Sequence, residues 1–156
     1  MIETGKKQEK VILVAAATEE IEKAERSLDE LGELVKTAGA EVCGRMIQAR
    51  DMIHTGTYIG SGKLDELKWL VWEKEADGIV CDDELSPVQL KNLEEALDCK
   101  IMDRTLVILD IFAARASTKE WKIQVELAQL KYRQSRLTGL GKSLSRLGGG
   151  IGTRGP

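Results

Sequence analysis

The stretch STKEWKIQVELAQLKYRQSRLTGLGKSLSRLGGGIGTRGP, residues 117–156, changes from a helical pattern to a glycine-rich one. Ser117 with Glu120 three residues later matches a capping box, in which two side chains cap the first turn of a helix. No Gly or Pro occurs between residues 118 and 137, and most residues there are good helix formers. We therefore predict a long helix that begins after Ser117 and ends near Leu137.

The apolar residues of this helix fall on two opposite stripes when they are placed at 100° per residue. One stripe contains Trp121, Val125, Ala128 and Tyr132. The other contains Ile123, Leu127, Leu130 and Leu137. A helix that packs on one core needs only one apolar stripe, so two stripes predict two partners. We expect the helix to leave the preceding domain as an extension. It should self-associate through residues 118–137, or else bend back onto that domain.

The charge of the chain also changes in this stretch. Residues 1–126 carry 17 basic and 26 acidic side chains, whereas residues 127–156 carry six basic side chains and no acidic one. A basic, glycine-rich segment suits a polyphosphate surface, because cationic side chains and bare backbone can both approach it closely. A solvated C-terminal tail would have the same composition. Composition alone leaves both interpretations open.

The overall composition is that of one soluble domain with an appendage. Three cysteines without a CxxC spacing indicate buried thiols in a reducing compartment, and a single histidine, His54, argues against a zinc site. The apolar run at 11–17 is short and is followed by glutamates, so we interpret it as a buried strand and not as a signal peptide. No segment is long enough to span a membrane, and we expect a cytoplasmic protein.

Residues 1–116 alternate between strand and helix patterns. Strands are predicted at 10–17, 40–49, 78–81 and 100–102, and helices at about 19–38, 63–76, 86–97 and 106–116. Thr18, Ser86 with Pro87 and Gln89, and Asp103 are the predicted helix caps, and Gly39 is the predicted stop of the first helix. This order predicts an α/β domain with a mostly parallel four-stranded sheet and flanking helices over 1–116, followed by the helical arm and basic tip over 117–156.

The loop before the second predicted helix contains a Gly-Lys pair. It lacks the first glycine and the Ser or Thr of a P-loop, and the Gly-Lys pair at Lys142 lacks the first glycine and a preceding strand, so neither is a Walker motif. A glycine loop at a helix start can still bind an anion through free N–H groups. The candidate anion-binding residues are Gly60, Ser61, Gly62 and Lys63. The other interpretation of this loop is a tight turn.

Three consecutive acidic residues, Asp82, Asp83 and Glu84, follow the third predicted strand. Such a group can hold magnesium, but it is more often a solvated turn, and we assign no metal to it. Asp103, Arg104 and Asp110 lie around the fourth helix, where a cap and an ion pair explain them as well as catalysis does. No nucleophile with an adjacent base is visible, so we predict no catalytic residue.

Four segments of the chain together resemble the N-terminal half of the HflX family of ribosome-associated GTPases. They are TYIGSGKLDEL (57–67), DDELSPVQLKNLE (82–94), DRTLVILDIFAARASTKEWKIQVELAQLKY (103–132) and GGGIGTRGP (148–156). The resemblance is strong over 57–156, whereas residues 1–56 fit only in length and element order. Trp121 departs from the family pattern, which more often has a small residue there.

The resemblance implies an α/β subdomain and a helical hairpin, of which this chain holds one arm and the tip. It also implies a GTPase domain beyond this chain that would bind GTP and Mg²⁺, so that this part has no cofactor and is not itself an enzyme. In the family the hairpin tip approaches rRNA of the large ribosomal subunit, and the GTP-bound protein separates stalled ribosomes.

Carried onto this chain, the resemblance implies a set of RNA-facing residues: Lys131, Arg133, Arg136, Lys142, Arg146, Gly148, Gly149, Gly150, Gly152 and Arg154. The alternative is a nucleotide (ATP/GTP)-binding α/β domain that uses the loop at 60–63. A third interpretation is a spacer that only orients the GTPase domain.

Overall fold

The computed structural model describes residues 8–136. Within this range the strands are β1 (Lys10–Ala17), β2 (Glu41–Ala49), β3 (Gly78–Cys81) and β4 (Lys100–Asp103). The helices are α1 (Ile21–Thr37), α2 (Ser61–Glu73), α3 (Pro87–Leu97), α4 (Arg104–Arg115) and α5 (Lys119–Ser135). The predicted alternation of strands and helices is confirmed.

The four strands form one parallel sheet in the order β2-β1-β3-β4. The chain leaves β1 toward one edge to form β2, and then crosses to the other side of β1 to form β3. The switch point of the topology therefore lies between β1 and β3, where α/β domains most often bind ligands at the carboxyl ends of the strands. The predicted fold class is confirmed, and the sheet is entirely parallel.

Side chains of β1 alternate between two cores, one on each face of the sheet. Ile12, Val14 and Ala16 pack with α2 and α3. Val11, Leu13 and Ala15 pack with α1 and α4 on the other face. Because both faces are covered, β1 is buried along its length from Val11 to Ala17, which explains why this run is continuously apolar instead of alternating.

Two of the predicted helix caps form as expected. The Ser86 hydroxyl accepts from the N–H of Gln89 at 3.1 Å, and the Gln89 side chain accepts from the N–H of Ser86 at 2.9 Å. The Asp103 carboxylate accepts from the N–H of Leu106 at 3.0 Å. Gly39 has a φ of +98°, which suits the glycine stop predicted after α1.

Two other predicted caps are wrong. Thr18 was the predicted cap of α1, but the residue at the N-cap position is Glu20, which makes no side-chain cap hydrogen bond. At α5 the cap is Thr118 and not Ser117, since the Thr118 hydroxyl accepts from the N–H of Trp121 at 3.1 Å. The helix begins one residue later than the capping-box pattern indicated.

The expectation that α5 extends away from the domain is also wrong. This helix runs back along α4, where Val125 is buried and Gln129 donates to Asp110 at 3.0 Å. Tyr132 reaches the core between α1 and α4. Val125 and Tyr132 of one apolar stripe therefore pack on the domain, as the second predicted outcome required, whereas Trp121 of the same stripe is 42% exposed.

The opposite stripe of α5 is exposed. Ile123, Leu127 and Leu130 are 47–62% accessible, and they have no core beneath them in the described part of the chain. Leu137, which was assigned to the same stripe, lies outside the described residues. Among residues 8–136 no helix combines the length and hydrophobicity that a transmembrane span needs.

Candidate functional site

The turn after β3 contains Asp82, Asp83 and Glu84, which we call the acidic turn. It lies at the carboxyl edge of the sheet, beside the switch point. Asp82 pairs with Arg104 at 2.7 Å and accepts from the Ser27 hydroxyl at 2.6 Å. This carboxylate therefore ties α1 and α4 to the end of β3. Arg104 forms an ion pair, but its partners are Asp82 and Glu30 and not the acidic residues around α4 that the sequence suggested.

The second residue of the acidic turn, Asp83, accepts a hydrogen bond from a tyrosine at the switch point. Tyr58 is buried, and its hydroxyl donates to Asp83 at 2.6 Å and accepts from the N–H of Ala16 at 3.1 Å. It thereby joins the end of β1 to the turn after β3. Burial raises the pKa of the Tyr58 hydroxyl above its usual value, so this group remains a donor throughout the physiological pH range. Beside this contact a cavity remains open at the carboxyl ends of β1 and β3, and its lining includes Thr18, Lys23, Ser27 and Asp82.

The loop between β2 and α2 is held by α3. Gln89 donates to the carbonyl of His54 at 2.8 Å, and Asn92 donates to the carbonyl of Gly56 at 2.9 Å. The Nδ1 atom of His54 accepts from the N–H groups of Gly56 and Thr57 at 3.0 and 3.1 Å. The single histidine therefore has a structural role in shaping the loop.

The candidate anion-binding residues form the start of α2. The N–H of Gly60 donates to the Gln48 side chain at 2.8 Å, and the Lys63 ammonium lies 3.3 Å from Glu66. A Cβ atom at Gly60 would lie 2.6 Å from Nη1 of Arg50, the far end of a flexible side chain that can move aside. These contacts agree with the interpretation of the loop as a tight turn that leads into α2. Anion binding by Gly60, Ser61, Gly62 and Lys63 stays a prediction.

The third residue of the acidic turn reaches α5. Glu84 Oε2 lies 2.7 Å from Nη2 of Arg136, and the same Nη2 donates to the carbonyl of Leu85 at 3.0 Å. The guanidinium stacks on the ring of Tyr132 at 3.6 Å. Arg136 is only 5% exposed. An acidic residue 52 positions earlier in the chain thus binds this guanidinium, and the RNA-facing role of Arg136 stays a prediction.

Asp103 completes this contact. Its side chain is fully buried, and it accepts from the N–H of Leu85 at 2.9 Å, from the N–H of Leu106, and from the hydroxyl of Tyr132. Burial raises the pKa of Asp103, and these three donors oppose the rise. The sequence indicated only the capping role, because Tyr132 and Leu85 are distant along the chain.

The other RNA-facing candidates divide into two groups. Lys131 is exposed and Arg133 is half-buried on the last turns of α5. The rest lie outside the described residues: Lys142, Arg146, Gly148, Gly149, Gly150, Gly152 and Arg154. The structure therefore places the start of the predicted basic segment at the carboxyl edge of the sheet, next to the acidic turn.

The described residues contain no group of three or more His, Cys, Asp or Glu side chains that could hold a metal ion. Two carboxylates of the acidic turn are engaged by arginine and one by tyrosine. Of the cysteines, Cys81 is buried while Cys43 and Cys99 are half-buried. Burial raises the pKa of the Cys81 thiol, which makes it a poor nucleophile.

Comparison with known proteins gives matches along the whole chain. Residues 25–113 match the family described as "GTP-binding GTPase N-terminal", and residues 115–156 match "GTP-binding GTPase Middle Region". The GTPase HflX of Lacrimispora saccharolytica is 66% identical over 156 residues, which are 100% of this chain and 37% of that protein. The GTPase HflX of Escherichia coli K12 is 43% identical over 83% of this chain and 30% of that protein. The chain therefore spans about a third of the length of these relatives.

Solved structures of similar fold come from GTP-binding proteins. A GTP-binding protein from the archaeon Sulfolobus solfataricus in complex with GDP matches with a TM-score of 0.56 and 27% identity, over 81% of this chain and 38% of that one. The SsGBP–GDP complex matches in fold with a TM-score of 0.64 and 24% identity, over 90% of this chain and 42% of that one. With its motifs, its parallel sheet and both family matches, the chain belongs to the HflX family of GTPases, whose N-terminal and middle regions it matches.

Proposed function

We propose that this chain is the ribosome-binding region of an HflX-type GTPase. In the cytoplasm it associates with the large ribosomal subunit, and together with a GTPase domain outside this chain it helps to separate stalled ribosomes. The observation that carries the proposal is the HflX match, which extends over every residue of the chain at 66% identity to one relative.

The charge distribution supports an RNA surface at the end of α5. Lys131 is exposed on this helix, and the residues that follow add Lys142, Arg146 and Arg154 without any acidic residue. The glycines at 148–150 and 152 would let the backbone approach phosphates closely. Arg133 is half-buried and contributes one guanidinium to the same helix end.

The exposed stripe of α5 supports a helical hairpin. Ile123, Leu127 and Leu130 have the spacing with which one helix packs against another. In the proposed full-length protein an antiparallel second helix covers this stripe, and α5 is the arm that leads to the hairpin tip.

The residues of this chain do not fit GTP and Mg²⁺. No Walker motif occurs in the 156 residues, and the loop at 60–63 is occupied by contacts with Gln48 and Glu66. The cavity at the switch point is lined by several carboxylates, among them Glu19, Asp82 and Asp83, which disfavour the phosphates of a nucleotide. In this proposal GTP binding and hydrolysis belong to the partner domain, and the α/β layer contributes no residue to that chemistry.

Co-sedimentation of the chain with purified ribosomal subunits tests the proposal. We expect it to pellet with the large subunit and not with the small one. Replacing Lys131, Lys142 and Arg146 together with Ala should abolish most of this binding. A control with Lys68, Lys74 and Lys91 replaced by Ala removes the same charge from exposed sites on and near α2 and α3 and should bind like the wild type. Equal loss in both variants, or no pelleting of the wild type, would refute the proposed function.

A further inference from the structure

The end of α5 is held on the sheet by four side chains, Glu84, Asp103, Tyr132 and Arg136, which we call the α5 anchor. Asp103 and Tyr132 are joined by a hydrogen bond in the interior. Arg136 stacks on Tyr132 and pairs with Glu84. These contacts fix the position at which the basic, glycine-rich segment leaves the domain.

The two halves of the anchor differ in their exposure to solvent. The Asp103 side chain is fully buried, whereas the Glu84 side chain is 59% exposed. The Nη2 atom of Arg136 is 3.9 Å from Asp103 but 2.7 Å from Glu84, so the close ion pair of Arg136 is the one that solvent reaches. Partly exposed ion pairs contribute little net stability and are screened by salt. The Glu84 contact is therefore the part of the anchor that another anion can replace.

Both arginines of this helix end have unused hydrogen-bonding capacity. The Nε atoms of Arg133 and Arg136 are buried and have no hydrogen-bond partner within residues 8–136. A guanidinium binds a phosphate through two parallel N–H groups, and such bidentate pairs are stronger than single contacts. If Arg136 turned from Glu84 to a phosphate, it could use Nε together with one Nη atom.

We propose that Arg136 exchanges partners when the domain meets RNA, leaving Glu84 for a phosphate. In the free domain Glu84 then acts as an internal competitor that holds the arm against the sheet. Binding opens the exposed half of the anchor while Tyr132 remains on Asp103. This inference rests on the proposed function, because it takes the phosphate from ribosomal RNA.

The test compares Glu84→Gln with Glu30→Gln in sedimentation titrations with purified large ribosomal subunits. Glu30 is the matched control, since it is also an exposed carboxylate that pairs with an arginine at 2.8 Å and its replacement changes the net charge equally. Removing the internal competitor should tighten binding by about two- to fivefold relative to the control, the factor expected for one partly exposed ion pair. In an Arg136→Gln background the same Glu84→Gln change should have no effect, as a double-mutant cycle requires.

The outcomes separate this inference from the proposed function. If the wild type does not bind the large subunit, the proposed function fails and the exchange fails with it. If the wild type binds but Glu84→Gln binds no more tightly than Glu30→Gln, only the exchange is refuted. A gain that persists in the Arg136→Gln background also refutes it, because the gain then comes from charge alone.

Discussion

The hydroxyl of Tyr132 in α5 donates to Asp103 at the end of β4, 29 residues earlier in the chain. The same carboxylate caps α4 and accepts a hydrogen bond from the N–H of Leu85. One buried side chain thus joins the sheet, the turn after β3 and the helix that leads to the basic segment. The position of the last turn of α5 is therefore set by the core of the α/β layer.

Replacing Tyr132 with Phe removes one donor from the buried Asp103 and keeps the ring that packs against Arg136. We expect a loss of about 1–3 kcal/mol in the free energy of unfolding, because an incompletely paired buried acceptor costs more than an exposed hydrogen bond. Urea denaturation measures this loss. Thr37→Val, which removes an exposed hydroxyl that donates to the carbonyl of Glu33 at 2.9 Å, is the control and should cost far less. Equal losses of unfolding free energy in the two variants would mean that the buried Tyr132–Asp103 hydrogen bond contributes no more than an exposed one.

Glu84 predicts a pH dependence of stability. The hydrogen bond from Arg136 lowers the pKa of Glu84 below its usual 4.5. A carboxyl with a lowered pKa in the folded state stabilises the fold above its unfolded pKa, and this contribution is lost as the pH falls through the folded value. The melting temperature of the wild type should therefore exceed that of Glu84→Gln near neutral pH, and the difference should shrink below about pH 4.5.

The contribution of Asp103 to stability depends on pH with the opposite sign. Its pKa is raised by burial, so its contribution is largest below the unfolded pKa and is lost as the pH rises through the folded value. Both proteins in the Glu84 comparison retain Asp103, so the difference reports the Glu84–Arg136 pair together with any change that this pair causes at Asp103 through the shared Arg136. A difference in melting temperature that stays constant from neutral pH to below about pH 4 would contradict the role assigned to the Glu84–Arg136 pair.

The exposed stripe of α5 should cause the chain to self-associate. Each large apolar side chain that is left in water forgoes roughly 1.5–3 kcal/mol, and Ile123, Leu127 and Leu130 lie on one face. Light scattering over a concentration series should detect a dimer that Leu127→Glu converts to monomer without loss of stability. Val125→Glu should instead unfold the domain, because it places a charge in the α4–α5 contact at a cost of about 3 kcal/mol or more. A monomeric wild type at all concentrations would mean that this stripe carries no interface between copies.

The loop at 60–63 should not bind nucleotide. Titration of the chain with ATP and GTP is expected to show no saturable signal, and GTP hydrolysis should not exceed the buffer rate, because the sequence has no Walker motif and Lys63 pairs with Glu66. Lys63→Ala and Lys68→Ala are the matched variants. Saturable binding that Lys63→Ala abolishes and Lys68→Ala leaves intact would establish the alternative, a nucleotide-binding α/β domain.

Local patterns predicted most of the fold. The apolar run of β1, the Ser86–Gln89 capping box and the Asp103 cap depend on residues close in sequence, and each formed as predicted. The cap at Ser117 was wrong because the neighbouring Thr118 can cap equally well, and the cap at Thr18 was wrong because α1 begins later, with no side-chain cap at Glu20. Strand order was not predicted, since it depends on the side of β1 on which each crossover connection places the next strand.

The candidate site was less predictable. Charge alone did not distinguish Arg136 from Lys131. In the structure Arg136 is buried in an ion pair, whereas Lys131 is exposed. The difference arises from Glu84, which is 52 residues away in sequence and becomes a neighbour only after the sheet forms and α5 folds back. Helical periodicity identified both stripes of α5, but it could not say which stripe faces the domain.

Salt dependence of binding to the large ribosomal subunit tests the central claim, that the basic end of α5 meets RNA phosphates. If about four cations contact phosphates, a log–log plot of the binding constant against salt concentration should have a slope of roughly −3 to −4. The variant with Lys131, Lys142 and Arg146 replaced by Ala should bind more weakly and with a flatter slope. An unchanged slope in that variant would show that another surface of the chain faces the RNA, and it would contradict the claim that the basic segment binds phosphates.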